Sequence, residues 1–325
     1  MQLPTLAEIE SAQKIVYSAM PPTPQYTWPL LNQRLGTEAW VKHENHSPVG
    51  AFKLRGALLY VRSLKETKPG LETVVAATRG NHGQGVGMAA RLMGLRAVIV
   101  VPFGNSKEKN LAMRAQGVEL IEHGEDFQES LEYARQLAHD PSHSGTHAFV
   151  ESIHPKLVLG TATYALEFLR GTPSLSTVYV PIGMGSSICG VSAARNALGL
   201  DTEIVGVVAA ASPSHSVSFR ERRVVEVPSA TQIADGLACR LPNPEAMEVI
   251  WQNVSRVVEV SDAEIASAMR AVYADTHNIA EGAAAAAVAG AFKEKHLLNG
   301  KPIGIILTGG NVDRDLYTRV LKEAL

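Results

Sequence analysis

The chain has 325 residues, 46% hydrophobic and 19% charged, and its 30 lysines and arginines against 32 aspartates and glutamates leave a net charge of −2. That balance is ordinary for a soluble globular chain and excludes a polyanion-binding surface, so no nucleic-acid partner is expected. Two cysteines, Cys189 and Cys239, do not make a disulfide framework, and the N-terminus (MQLPTLAEIE) has neither a basic nor an apolar leader segment. The alanine-rich run 283–289 is too short to cross a bilayer. The expectation is a cytoplasmic chain without membrane contact.

In chain order, residues 6–17 place apolar side chains at helical spacing, and the Pro-Pro-Thr-Pro segment 21–24 stops that helix. Residues 56–64 read as a helix entered from a glycine turn. Residues 73–77 (TVVAA) read as a short buried strand, 79–85 as a glycine-studded turn, and 87–93 as a helix. Strand 97–101 (AVIVV) stops at Pro102, helix 107–116 stops at Gly117, and strand 118–121 precedes helix 126–139. The polar segment 140–145 (DPSHSG) is the clearest seam between sub-domains, and strand 177–180, helix 190–197 and strands 204–208 and 304–307 continue the pattern. Strand–helix alternation of this kind marks an α/β fold, a parallel sheet wound with helices.

Four stretches carry the chemistry. In KHENHSPVGAFKLRG (42–56), Lys53 emerges from small and apolar neighbours, Pro48, Gly50, Ala51, Phe52 and Leu54. Such surroundings disfavour the ammonium form and make the amine a better nucleophile toward a carbonyl carbon, although a lone lysine beside a Gly-Pro turn is more often a surface residue. PIGMGSSICG (181–190) follows a strand and opens a helix, so its backbone amides can converge on one anion; it lacks the spacing of a dinucleotide site or a P-loop. TRGNHGQG (78–85) presents amides and the Asn81 side chain after a strand, where helix capping is the simpler role. LTGGN (307–311) ends the strand IGIIL and by itself is an ordinary strand-to-helix turn.

Taken together, the pattern K-x-E-N-x-x-P-x-x-x-F-K-x-R-G, the TRGNHGQG and PIGMGSSICG loops, IADG (233–236), AEGAAAA (from Ala280) and LTGGN resemble, in the same order, the motifs of the serine/threonine dehydratases. These are pyridoxal-phosphate (PLP) enzymes of fold type II, which share their fold with tryptophan synthase β and cysteine synthase. The resemblance implies two open, twisted, mostly parallel sheets flanked by helices. It implies a large PLP-binding domain from 1–72 and 149–325 and a small substrate-binding domain over 73–148. Lys53 would carry the cofactor, Phe52 would pack near its ring, and Gly183, Met184, Gly185, Ser186, Ser187 and Ile188 would hold its phosphate. Asn81 would meet its phenolic oxygen, Thr308 its ring nitrogen, and Gly236 and Glu281 would lie beside it. Thr78, Arg79, Gly80, Asn81 and His82 would receive the substrate. The implied partner is a small amino acid, and a homodimer is the default assembly.

The departures matter as much as the matches. Ala51 replaces the usual serine, Met184 and two serines interrupt a normally glycine-only run, and Thr161 and Ala162 replace glutamine and glycine. Residues 208–211 (VAAA) lack the carboxylate of the family's cation site, so no metal is expected. Arg79 stands where dehydratases have alanine and serine racemases a serine; a guanidinium is a poor base at neutral pH, which argues against racemisation. The expected activity is a PLP-dependent ammonia-lyase converting a β-hydroxy-α-amino acid, of serine or threonine type or else 3-phenylserine or 3-hydroxyaspartate, to a 2-oxo acid and ammonia. A serine racemase, a β-replacement enzyme of the same fold and a non-catalytic PLP-binding protein are the alternatives.

Overall fold

The computed structural model describes residues 1–324. Its strands are β1 Gln25–Thr27, β2 Ala39–His43, β3 Thr73–Ala77, β4 Arg96–Val101, β5 Glu119–Glu122, β6 His147–Phe149, β7 Thr177–Pro181, β8 Glu203–Ala209, β9 Arg256–Val260 and β10 Ile303–Leu307. They form a six-stranded sheet in the order β1-β2-β10-β7-β8-β9 and a four-stranded sheet in the order β5-β4-β3-β6. Every pairing is parallel except β1 with β2. This is the α/β architecture of two mainly parallel sheets that the alternation of elements implies. The inner strands β3, β7 and β10 are buried at every residue, since helices cover both faces; this is why they read as continuous apolar runs without alternation. The polar segment 140–145 joins helix Phe127–His139 to β6 of the same four-stranded sheet, so the chain passes between the sheets after it.

The six-stranded sheet lies between two apolar layers. On one side the alanine run of helix Gly282–Lys293 packs with Tyr179, Val205, Val207 and Ile305. On the other, helices Pro155–Arg170 and Ser186–Ala197 pack with Val178, Val180, Ile204 and Ile306. Helix Lys53–Thr67 contributes Leu54, Ala57, Leu58 and Val61 to the core of the four-stranded sheet, beside Val74, Ala76 and Ile99.

Three helices begin earlier than expected: Lys53–Thr67 at the lysine itself, Asn81–Leu92 inside the presumed turn 79–85, and Ser186–Ala197 rather than at Gly190. Their glycines act as close-contact points. A Cβ on Gly85 would lie 3.0 Å from the carbonyl carbon of Lys53, and one on Gly190 would lie 2.3 Å from Thr161 Oγ1. Likewise a Cβ on Gly160 would meet Gly56 Cα at 2.4 Å. The propensity lost by placing glycine within a helix, about 1 kcal/mol each, is offset by helix–helix packing that larger residues would forbid.

Candidate active site

The carboxyl ends of β3, β7 and β10 open onto one cleft, the usual place for a ligand in an open α/β sheet. The empty space within it, counting the part open to solvent, is about 940 Å³. Lys53 begins its helix at the cleft floor, with its Nζ 4.7 Å from the centroid of the Phe52 ring. The preceding loop is tied to the end of β10: Phe52 N donates to Thr308 O at 3.1 Å, and Gly310 N donates to Gly50 O at 2.9 Å. Gly50 has φ +67°, and a Cβ there would fall 2.6 Å from Asn311 Oδ1, so only glycine suits the position. Burial pushes the Lys53 amine down to about 8, with Glu281 pulling the other way. The amine is thus far easier to deprotonate than a surface lysine.

Below Lys53 lies a set of charges that never reaches the cleft. Arg55 donates its Nε to Glu44 at 2.8 Å and its Nη1 to Glu167 at 2.6 Å, and Lys42 Nζ meets Glu167 at 2.6 Å. Lys42, Glu44 and Arg55 are fully buried. The charged positions of the Lys42–Gly56 motif other than Lys53 therefore anchor the first turn of the lysine's helix to β2 and to helix Pro155–Arg170.

Thr78, Arg79, Gly80, Asn81 and His82 form the facing wall. Gly80 N donates to Thr78 Oγ1 at 2.9 Å, and a Cβ on Gly80 would lie 2.4 Å from Lys109 Cδ. Asn81 Nδ2 donates to Glu281 Oε1 at 2.7 Å, while Asn81 Oδ1 accepts from Asn311 Nδ2 at 2.8 Å. Burial, reinforced by the charge of Lys53, lowers His82 to about 3, so it is neutral at working pH. Arg79 is exposed and, among the described residues, makes no hydrogen bond or ion pair.

The third wall is the turn Gly183–Met184–Gly185 and the start of helix Ser186–Ala197. Gly185 has φ +98° and no side chain caps the helix, which leaves its first N–H groups without protein acceptors at the cleft. A Cβ on Gly183 would lie 2.4 Å from Gly236 O. Gly236, Glu281 and Thr308 complete the lining. Of the residues implied by the motifs, Ile188 alone does not line the cleft: its side chain is wholly buried in the core under the helix.

Two cleft groups escaped the sequence. Lys109 reaches over Gly80 to Asp235 at 2.6 Å and Glu281 at 3.6 Å. Burial opposes its ammonium form, but Asp235 and Glu281 outweigh that and hold its pKa above the usual value. Burial raises Glu281 to about 7 against the pull of Lys109. Asp235 stands within the IADG motif but carried no role, and Lys109 lies on an amphipathic helix with no distinguishing pattern. No cluster of three or more histidine, cysteine or acidic side chains in metal-binding proximity occurs among the described residues.

PLP needs a lysine of lowered basicity, an anion-binding helix start and polar groups around its ring. The cleft offers all three, and its buried His82 Nε2 and Glu281 Oε2 have no hydrogen-bond partner among the described residues. Two parallel sheets with such a lysine at their shared cleft define a PLP enzyme of fold type II. The family described as "Pyridoxal-phosphate dependent enzyme" matches residues 16–309, and the chain belongs to it. The chain is 32% identical to the L-threonine ammonia-lyase of Thermotoga maritima over 321 residues, 99% of this chain and 79% of that one. It is also 32% identical to the L-threo-3-hydroxyaspartate ammonia-lyase of Saccharomyces cerevisiae over 322 residues, 99% of this chain and 98% of that one. A solved maize serine racemase superimposes with a TM-score of 0.89 at 25% identity, covering 99% of this chain and 98% of that one. The reaction class is that of a PLP-dependent ammonia-lyase.

Proposed function

We propose that this ammonia-lyase acts on a β-hydroxy-α-amino acid bearing a second carboxylate, of the 3-hydroxyaspartate kind. The observation that carries this reading is Arg79, a cation on the cleft wall with no acidic partner among the described residues. Lys109, the other cation beside it, is already committed to Asp235 and Glu281. The end-to-end match to the yeast hydroxyaspartate enzyme supports the same choice.

In the proposed arrangement the first turn of helix Ser186–Ala197, with Gly183 and Gly185, holds the PLP phosphate. Thr308 meets the ring nitrogen, Asn81 the phenolic oxygen, and Phe52, Gly236 and Glu281 border the ring. Bound there, PLP supplies an electron sink for the pair left at Cα. Lys53 would carry PLP, and its Nζ, once free, would take the Cα proton as general base. The Cβ hydroxyl would leave with a proton as water, and the resulting enamine, taking up one water on hydrolysis, would yield the 2-oxo acid and ammonia. The backbone amides at 78–82 hold the α-carboxylate, and Arg79 takes the distal one with a two-pronged fork. With no usable proton on Arg79, Cα is reprotonated only from the Lys53 side, which disfavours racemisation.

The substrate-binding lobe is proposed as 73–148, with 1–72 and 149–325 forming the PLP lobe; the strands sort between the two sheets in nearly this way. A cytoplasmic homodimer is proposed as the working state, consistent with two free cysteines and with exposed Tyr26 and Leu30; light scattering tests the assembly. The decisive test of substrate is a kcat/KM panel of serine, threonine, 3-phenylserine and 3-hydroxyaspartate with the wild type and Arg79→Ala. Loss of a charge-assisted bond worth about 1.5–3 kcal/mol should lower the 3-hydroxyaspartate value alone by about 10-fold or more. An equal loss on all four substrates would assign Arg79 to the α-carboxylate. No loss on any would remove it from the site, and D-serine formed from L-serine would restore the racemase reading.

A further inference from the structure

Beside the cleft, helix Pro155–Arg170 presses Thr161 and Tyr164 against the first turn of helix Ser186–Ala197. Thr161 Oγ1 donates to Ser186 O at 2.6 Å, and Tyr164 Oη lies 2.6 Å from Ser187 Oγ. Tyr164 is completely buried, and Ser187 is its sole hydrogen-bond partner among the described residues. Its ring stands edge-on to Phe52, with centroids 6.2 Å apart, and 5.9 Å from the guanidinium carbon of Arg55. Thus one side chain touches both the lysine's helix and the start of the anion-binding helix.

Proton accounting sets the direction of the Tyr164–Ser187 bond. Burial keeps the phenol protonated, and a buried O–H without an acceptor is costly. Among the described residues the only acceptor in reach is Ser187 Oγ, so Tyr164 donates and Ser187 accepts. The hydroxyl proton of Ser187 then has no acceptor among the described residues, and Ser187 lines the cleft. We propose that Tyr164 is a positioning residue that turns the Ser187 hydroxyl toward the cofactor phosphate, adding a side-chain donor to the backbone amides of the cradle. The proposal rests on the reading that the turn at 183–187 holds the phosphate. It is independent of the identity of the substrate.

The test compares binding of PLP with binding of pyridoxal, which lacks the phosphate, to apoprotein prepared from the holoenzyme, followed by absorbance titration. Ser187→Ala should raise the Kd for PLP about 10-fold, the size of one charge-assisted hydrogen bond, and leave pyridoxal within twofold. Tyr164→Phe keeps the ring and should shift PLP several-fold in the same direction. The double variant should be no worse than Ser187→Ala, because the tyrosine acts through the serine. Unchanged PLP binding in both single variants, or equal losses of PLP and pyridoxal, would overturn the proposal. Ser186→Asp checks the underlying reading, since an acidic residue suits a helix start but repels phosphate. It should lose PLP and retain pyridoxal; PLP binding at the wild-type level would place the phosphate elsewhere and overturn the cradle itself.

Discussion

Arg55→Met tests the idea that a buried charge cluster fixes Lys53. The guanidinium is fully buried and makes two paired contacts, to Glu44 at 2.8 and 3.0 Å and to Glu167 at 2.6 and 3.0 Å. With Lys42 the cluster holds two cations and two carboxylates, and it is neutral. Methionine fills much of the volume but leaves two carboxylates sharing one ammonium. Each lost pair is worth about 4 kcal/mol at 4 Å and an effective dielectric constant of 20, part of which is returned as desolvation; breaking a buried pair by removing one partner typically costs about 3–5 kcal/mol. Urea denaturation at pH 7.5 should show a loss of that size relative to the wild type. At pH 5.5 the difference should shrink by about 1–2 kcal/mol, because one carboxyl can take up a proton to relieve the charge. Arg55→Met/Glu44→Gln should recover much of the stability, whereas Arg55→Lys should not, since an ammonium cannot span both carboxylates. A loss below about 1 kcal/mol that is the same at both pH values would refute the reasoning.

Other outcomes follow from the cleft and the core. Lys53→Ala should abolish 2-oxo acid formation and the visible absorbance of the bound cofactor while the far-ultraviolet circular dichroism stays that of the wild type; full activity would remove the lysine from the mechanism. EDTA should leave activity and Tm unchanged, as residues 208–211 offer no carboxylate for a divalent cation, and a large loss restored by Mg²⁺ or Ca²⁺ would contradict this. Acidification should destabilise the apoprotein. Burial lowers His82 to about 3 and both His43 and His215 to about 4, so the unfolded chain takes up protons first as the pH falls below about 6.5. Going from pH 7.5 to 5.5, each histidine removes about 1.4 kcal/mol. Glu281, raised to about 7, has the opposite sign: its contribution grows as the pH falls and returns about 2 kcal/mol. The net loss is about 2 kcal/mol by urea denaturation, and a stability that rises toward pH 5.5 would be inconsistent with these burials.

Much of the fold and cleft was legible because chemistry that needs a particular backbone leaves particular residues. The turn before Lys53 needs Gly50 at positive φ, and the start of helix Ser186–Ala197 needs Gly185, also at positive φ. The buried strands β3, β7, β8 and β10 are apolar runs of strand length. The helix starts at Asn81 and Ser186 were hidden, because a glycine that allows two helices to touch looks the same in sequence as one that allows a turn. The short strands β1, β2 and β6 carry too little periodicity to stand out. Lys109 and Tyr164 were invisible for a different reason: each gains its role from a partner more than 20 residues away, Asp235 for one and Ser187 for the other.

The exposure of Arg79 sets how much selectivity it can carry. While the cleft is open to water, the guanidinium is solvated, and pairing it with a carboxylate is worth at most about 1 kcal/mol, or roughly fivefold. Discrimination of 10-fold or more therefore requires that the bound state exclude water from the pair. On the same wall Lys109, from the helix beside the 78–82 loop, pairs with Asp235 across the cleft at 2.6 Å. A substrate with one carboxylate satisfies the loop amides but leaves the guanidinium to be desolvated without compensation as the cleft dries. One with two carboxylates compensates it. The same drying that strengthens the second contact would penalise threonine, so the proposed preference for a dicarboxylate would arise from exclusion of water more than from the charge of Arg79 alone.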